Sequence, residues 1–433
     1  MSDAATLQEE DGLAGHAWVR TLTAAWFAQF ASIAGFAFAM PFLPFYLAQL
    51  GVHGAVAQRY WSGLIGSAPA VTMMLVAPFW GIAADRYGRK LMVMRAMFSG
   101  AVVVALMGAV GSPVTLLVLR FMQGALTGTI SATNAMVSGV SPRKRAGFSL
   151  GLMQSAVFLG NCVGPLLGGM FADAYGYSAT FYMAGAFLLL GGIVIAALAQ
   201  DSPLPPREPD GRNGKSEVGI LSVLATPGFV IIIGVVFLLQ FAGTVLSPVF
   251  PLFVESLVHD SSAVNTHTGR LIAVTAISAA LVAVPIGWLS DRIGPRNVLA
   301  AGTLLSGCLM LPQAFVTQLT TLYEIRIALG LAAGAIGPAM GGFVNRAVPR
   351  SSQGKAFGIV QSASSFGFAL GPFTGGALGA EFGLRAPFVV VGTLQIVFGI
   401  GAWIALGRLS AAGRVKADQT AETKDISPSD GEE

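Results

Sequence analysis

Twelve stretches of about 20 or more mostly apolar residues divide this 433-residue chain, a pattern that commits it to a lipid bilayer. They run over 21–49, 60–83, 91–110, 114–139, 147–171, 179–199, 227–254, 270–289, 297–316, 320–344, 356–379 and 386–407. Each is long enough to cross the hydrocarbon as a helix, and none calls for a strand. Composition supports the same reading. Hydrophobic residues make up 54% and charged residues only 11%, against about 25% in soluble chains. Too few charges remain to cover a soluble protein of this size, which excludes an ordinary soluble enzyme and a disordered chain. The 55 glycines and 22 prolines follow no collagen period, and neighbouring helices can re-pair the backbone they interrupt. The expected fold is an all-α membrane protein of twelve transmembrane helices.

The basic residues set its orientation. With the N-terminus inside, twenty of the 25 Lys and Arg fall in internal loops, tails or adjoining span ends. Arg59, Arg270 and Arg385 fall outside, and Arg120 and Arg326 lie deeper within spans. That asymmetry places both termini in the cytoplasm, and it explains the net charge of +4 without a nucleic-acid partner. The first nineteen residues are acidic and lack the basic start of a signal peptide. Cys162 and Cys308 both lie in apolar runs, so no disulfide framework is expected.

The two halves of the chain repeat each other. Gly81-x3-Asp85-Arg86-x-Gly88 recurs as Gly287-x3-Asp291-Arg292-x-Gly294, and Arg120-x3-Gly124 recurs as Arg326-x3-Gly330, both at an offset of 206. Gly160-x3-Gly164-Pro165-x2-Gly168-Gly169 recurs from Gly367, and Pro41-x2-Pro44 recurs as Pro248-x2-Pro251, both at 207. Six spans per half make these parallel repeats, which bind substrate near the midplane between the halves. The expected organisation is a disordered tail over 1–19, six-helix bundles over 20–199 and 227–408, a Pro-rich polar linker over 200–226 and a disordered tail over 409–433.

The loop Gly81-x3-Asp85-Arg86-x-Gly88-Arg89-Lys90 resembles the signature of the major facilitator superfamily, and the resemblance covers about residues 20–408. Physically, Gly88 permits a tight turn, Asp85 can face a helix N-terminus or a cation, and the basic cluster sits at the headgroups. The resemblance implies a gating loop that latches the outward-open state, formed by Gly81, Asp85, Arg86, Gly88, Arg89 and Lys90. Asp291 and Arg292 form its second copy, in which Pro295 replaces a basic residue. Leu116-x3-Arg120-x2-Gln123-Gly124 is similar to the family's proton-coupling motif. Gly160, Gly164, Pro165, Gly168 and Gly169 are similar to a motif marking antiporters, although its recurrence in the eleventh span makes it first a helix-packing feature.

An intramembrane Arg is costly and should face the bundle interior, which makes Arg120 and Arg326 candidates for coupling. No Asp, Glu or His falls near the middle of a span, and the first span carries Gln29 where many drug:proton antiporters carry an acid. Glu324 is the expected coupling carboxylate, embedded near Arg326 and Arg120, with a structural ion pair or an interfacial acid as the alternative. Gln29, Phe30, Gln123, Asn134, Gln154, Gln240 and Gln361 are the expected lining of a substrate cavity, one suited to amphipathic or aromatic compounds. The sequence carries no phosphate loop, dinucleotide fingerprint or metal-spaced Cys/His set, so no cofactor or metal is expected. The chain resembles the twelve-span drug:proton antiporters of bacterial multidrug efflux. That resemblance implies a monomeric, non-enzymatic transporter in a bacterial inner membrane, moving a small molecule against protons. A uniporter or symporter for a metabolite and a non-transporting receptor or scaffold remain the alternatives.

Overall fold

The computed structural model describes residues 2–142, 145–201, 229–258, 263–336 and 353–404, and among these the regular structure is helical. The first half comprises α1 (Ser2–Ala39), a 3-10 turn (Met40–Phe42), α2 (Leu43–Gln49), α3 (Ala55–Tyr87), α4 (Arg89–Met107), α5 (Pro113–Leu126), α6 (Thr129–Val140), α7 (Ala146–Tyr175) and α8 (Tyr177–Leu198). The second comprises α9 (Phe229–Val245), α10 (Phe250–Glu255), α11 (Val264–Ile293), α12 (Pro295–Gln313), α13 (Leu319–Ala333), α14 (Gln353–Phe382) and α15 (Ala386–Ile404). Within the described residues, each apolar segment of the sequence falls on a helix or a broken pair of helices. The breaks have local causes. Pro41 and Pro44 lack the N–H groups that would continue α1, Pro248 does the same between α9 and α10, and Gly128 (φ 126°) parts α5 from α6. Among the described residues, six helices are apolar and long enough to span, while α5 and α9 are shorter because they are pieces of broken spans.

One boundary differs from expectation. Residues 2–19, expected to be disordered, continue α1 as a helix. Ala4, Ala5, Leu7, Gln8, Glu9 and Glu10 are strong helix formers, and acids in the first turns complement the helix dipole. The linker from 202 and the tail from 405 lie outside the described residues.

Within the first half, α1 packs on α7 and α8, α4 on α8, and α3 on α5. Small residues make this possible: Ala24, Ala25, Ala28, Ala31 and Ala34 of α1 are buried, and Gly191 of α8 comes against Ala28. In the second half α9 packs on α14 and α11 on α13. Phe79, Ile82, Leu281 and Phe315 are about 70% exposed, which suits contact with lipid chains rather than water.

Candidate functional site: the crossings between the halves

The halves meet chiefly through two helix pairs, α3 with α14 and α7 with α11. Both crossings lie at the end of the molecule opposite Gly88 and Gly294. Glycine pairs create them. A methyl group added to Gly63 of α3 would come within 3.0 Å of the Pro372 carbonyl, and one added to Gly376 of α14 would come equally close to the Arg59 carbonyl. The other crossing repeats this geometry: Gly269 of α11 abuts the Pro165 carbonyl, and Gly169 of α7 abuts that of Asn265. Gly63 and Gly269 are 206 residues apart, as are Arg59 and Asn265, so the repeat extends to the contact itself. Only glycine lets two helix backbones approach this closely.

The remaining motif glycines face inward within each half. Gly160 packs on Ile33, Gly164 on the Ala34 carbonyl and Gly168 on the Phe38 carbonyl, all of α1. Gly367, Gly371 and Gly375 pack in the same way on Phe237, Thr244 and Val245 of α9. The motif therefore has two faces, with three glycines holding a half together and the fourth meeting the other half. Pro165 bridges these roles, since its carbonyl forms part of the crossing.

Polar groups lock each crossing. Between α3 and α14, Arg59 Nη1 donates to the Gly379 carbonyl at 2.7 Å, Tyr60 Oη to Glu381 Oε1 at 2.5 Å, and the Phe373 N–H to Ser67 Oγ at 2.9 Å. Between α7 and α11, Asp173 accepts from the Thr266 N–H at 2.8 Å, Thr266 Oγ1 at 2.6 Å and Asn265 Nδ2 at 2.7 Å.

At the opposite end, Gly88 (φ 96°) and Gly294 (φ 90°) form the sharp turns between α3 and α4 and between α11 and α12. The Lys90 N–H donates to Asp201 Oδ1 at 3.1 Å, Lys90 Nζ to the Ala196 carbonyl at the end of α8, and Arg89 Nη1 to the Ala135 carbonyl of α6 at 2.7 Å. None of these bonds reaches the second half. Arg86 lies 5.4 Å from the Tyr87 ring and Arg292 3.7 Å from the Trp288 ring. The side chains of Gly81, Asp85 and Asp291 lie outside the described residues.

Arg120 is buried in the first half. Its Nε donates to the Ile65 carbonyl at 3.1 Å and its Nη1 to Gln123 Oε1 at 2.5 Å. Ile65 needs that donor because Pro69, four residues on, has no N–H to give it. In the second half Thr275 stands in place of Pro69, and its hydroxyl reaches the Leu271 carbonyl at 2.9 Å. The Leu271 carbonyl thus has a donor of its own and does not need Arg326. Arg326 lies over the Phe250 ring at 3.9 Å, with Nε and Nη2 buried and unpaired.

The sequence pattern of the Major Facilitator Superfamily matches residues 25–262 and 232–429. The chain belongs to the major facilitator superfamily. It is an integral membrane transporter, not an enzyme. It is 34% identical over 394 residues to the multidrug resistance protein MdtG of Dickeya zeae (strain Ech586), covering 91% of this chain and 96% of that one. It is 33% identical to the MdtG protein of Salmonella typhimurium, covering 90% and 96%. Among solved structures, a bacterial homologue of the lysosomal transporter Spinster, inward-facing and occupied, superposes with a TM-score of 0.74 at 16% identity, covering 89% and 96%. The nucleoside transporter NupG superposes at 0.72 with 14% identity, covering 89% and 99%.

Against this superfamily frame, the expected site residues separate into groups. Gln29 and Gln123, expected to line the cavity, are buried. Gln29 is fully buried and receives the Thr133 hydroxyl, while Gln123 is buried holding Arg120. An amide inside apolar helices gains most from a fixed partner; each has one for its oxygen within the first half, while the Nε2 of Gln29 is buried and unpaired. Phe30 and Asn134 are half-buried, with Phe30 stacked on Trp26 at 5.8 Å. Gln154 and Gln240 are exposed, and the side chain of Gln361 lies outside the described residues. Glu324, expected inside the bundle beside an Arg, is exposed on α13. Arg326, two residues on, points elsewhere because i,i+2 positions on a helix diverge. Gly63, Gly269, Arg59, Tyr60 and Asp173 were missed as contacts between the halves. Applying the 206-residue offset to every glycine, and not only to those in motifs, would have paired Gly63 with Gly269.

Proposed function

We propose that this protein is a proton-driven secondary transporter that exports amphipathic or aromatic small molecules by alternating access, acting as a monomer in a bacterial inner membrane. Both termini and the 200–226 linker are cytoplasmic. The observation that carries the reading is the placement of the two crossings. They close one end of the molecule, and at the other end the described bonds of Lys90 and Arg89 stay within the first half. The basic loops put that second end in the cytoplasm, so the conformation is closed outside and open inside. The MdtG relatives support the multidrug substrate class.

In this reading Phe30, Asn134, Gln154 and Gln240 line the cytoplasm-facing cleft. Exposed amides on spans are costly against lipid and comfortable against water. A lining of aromatic rings and uncharged amides binds amphipathic cargo through its apolar area and tolerates varied polar groups. Rocking about the crossings would bring the loops at Asp85, Arg86 and Asp291 together and open the outer end. Proteoliposomes with an imposed pH gradient test this. Expected is accumulation of a fluorescent amphipathic dye against its gradient, abolished by a protonophore. Downhill flux insensitive to pH would identify a uniporter, and dye binding without flux would identify a receptor. Either result would overturn the proposal.

A further inference from the structure

Helix α11 begins without a cap of its own. Its N-cap residue, Ala263, has no side chain able to accept from the N–H groups of the first turn. Those groups need acceptors, and a capping oxygen usually takes the N–H at the second or third helical position. Here the third position is Thr266, and its N–H is taken by Asp173 Oδ2 at 2.8 Å. Asp173 belongs to α7, in the other half of the molecule. The same oxygen receives Thr266 Oγ1 at 2.6 Å, and Oδ1 receives Asn265 Nδ2 at 2.7 Å. Asn265 is 95% buried, given its 5% exposure, and its amide also reaches the Tyr177 hydroxyl at 3.1 Å. All three donors to Asp173 therefore come from α11.

We propose that Asp173 is a positioning residue of the transport cycle: it caps α11 from the opposite half and thereby sets how strongly the closed end stays closed. A cap within one chain segment stabilises a helix in every conformation. A cap supplied across the crossing stabilises it only while the crossing is made, so its free energy counts entirely toward one state. A carboxylate is well suited to the task, because a negative group at a helix N-terminus is favoured by the dipole as well as by the bonds. The α3–α14 crossing has no counterpart. Ala380 stands where Asp173 stands, and Arg59 and Tyr60 stand where Asn265 and Thr266 stand, so the latch belongs to one crossing and was not inherited with the repeat.

The native thiol of Cys162 provides the readout. It lies on α7 with Sγ 3.9 Å from the Ala273 carbonyl of α11, half-buried in the crossing. In a Cys308→Ser background, a membrane-impermeant maleimide is applied to the full-length protein separately from each side of sealed vesicles. Asp173→Ala is expected to raise the labelling rate of Cys162 at least fivefold from one side only. Asp173→Asn should fall between Ala and wild type, because it keeps an acceptor and loses the charge. Asn265→Ala with Thr266→Val, which weakens the same latch from the other half, should raise labelling and add little to Asp173→Ala. Wild-type labelling in both Asp173→Ala and the double variant would overturn the proposal. The inference rests on the alternating-access reading, but the outcomes separate: the side from which labelling rises tests the orientation, and whether it rises tests Asp173. Monodisperse elution of each variant guards against misfolding, and if Asp173→Ala fails that check, the double variant carries the test.

Discussion

The two crossings share a backbone and differ in their side chains. In both, a glycine of the second or eighth span abuts the carbonyl of a motif proline, and the last motif glycine abuts the carbonyl at position 59 or 265. Yet α7 and α11 are joined by a carboxylate at a helix start, while α3 and α14 are joined by Arg59 on a carbonyl near the end of α14 and by a tyrosine–glutamate bond. Positive groups favour helix C-termini and negative groups favour N-termini, so each crossing exploits the helix end it happens to have. The repeat thus fixes where the halves touch, and sequence divergence decides how firmly each contact holds.

The largest expected effects break the shared part. Gly269→Leu and Gly63→Leu should each reduce transport by more than about tenfold, roughly 1.4 kcal/mol or more in the barrier, because the closed end cannot form around the added side chain. Each half should still fold, so expression and monodispersity should stay near wild type. Gly168→Leu should do the opposite first: it forces α7 off α1, and the protein should lose thermal stability in detergent. If Gly269→Leu transports normally, the crossing is not an obligatory state of the cycle.

The arginines sharpen the comparison. Arg120→Leu strips the Ile65 carbonyl of the donor that Pro69 cannot supply, and an orphaned buried acceptor costs about 1–3 kcal/mol. Arg326→Leu removes a guanidinium whose Nε and Nη2 are buried and unpaired, so it should be neutral or stabilising in a detergent unfolding series. Equal destabilisation would mean that Arg326 has a role in stability that its hydrogen bonds do not express. Smaller still is the contrast between the two turns. Gly88 (ψ 149°) and Gly294 (ψ 135°) pair a positive φ with an extended ψ, a region open essentially to glycine, so Gly88→Ala and Gly294→Ala should each cost about 1–3 kcal/mol. The Gly88 change should cost more, because Asp201 occupies the space its methyl would need, whereas none of the described residues lies within 4 Å of the Gly294 position. A midpoint comparison by thermal unfolding checks the order.

These contrasts mark what the sequence could reveal. Apolar length located the described helices, except for the polar start of α1, and the prolines and Gly128 accounted for the breaks. The spacing of glycines announced the packing faces, although which glycine meets the other half follows from its rotation about the helix. That rotation is the hard part. A helix apolar on all sides carries no amphipathic signature telling which face looks inward. Gln29 and Gln123 illustrate the consequence: as polar residues in apolar spans they read as cavity lining, and both instead satisfy neighbours within one half. The role of Pro69 was also hidden, since the carbonyl it orphans is met by a residue 55 positions away.

Glu324 gives the smallest predicted effect and the sharpest check on that lesson. By elimination it is the acid the sequence offers as a proton carrier. Its side chain is exposed, and the arginine nearest in sequence lies over Phe250. A carrier buried against a cation would change both stability and the pH profile when neutralised, because burial and charge pull its proton affinity in opposite directions. An exposed side chain gives up little packing when it is replaced, and exposed substitutions usually change stability by under about 0.5 kcal/mol. Glu324→Gln should therefore keep dye transport within about twofold of wild type, or roughly 0.4 kcal/mol in the barrier. The pH dependence should be unchanged. The measurement is the initial rate of dye accumulation across a series of imposed pH gradients. A collapse of pH-driven accumulation with binding intact would show that α13 turns Glu324 inward during the cycle, and the proton path would then lie in the second half, beside Arg326.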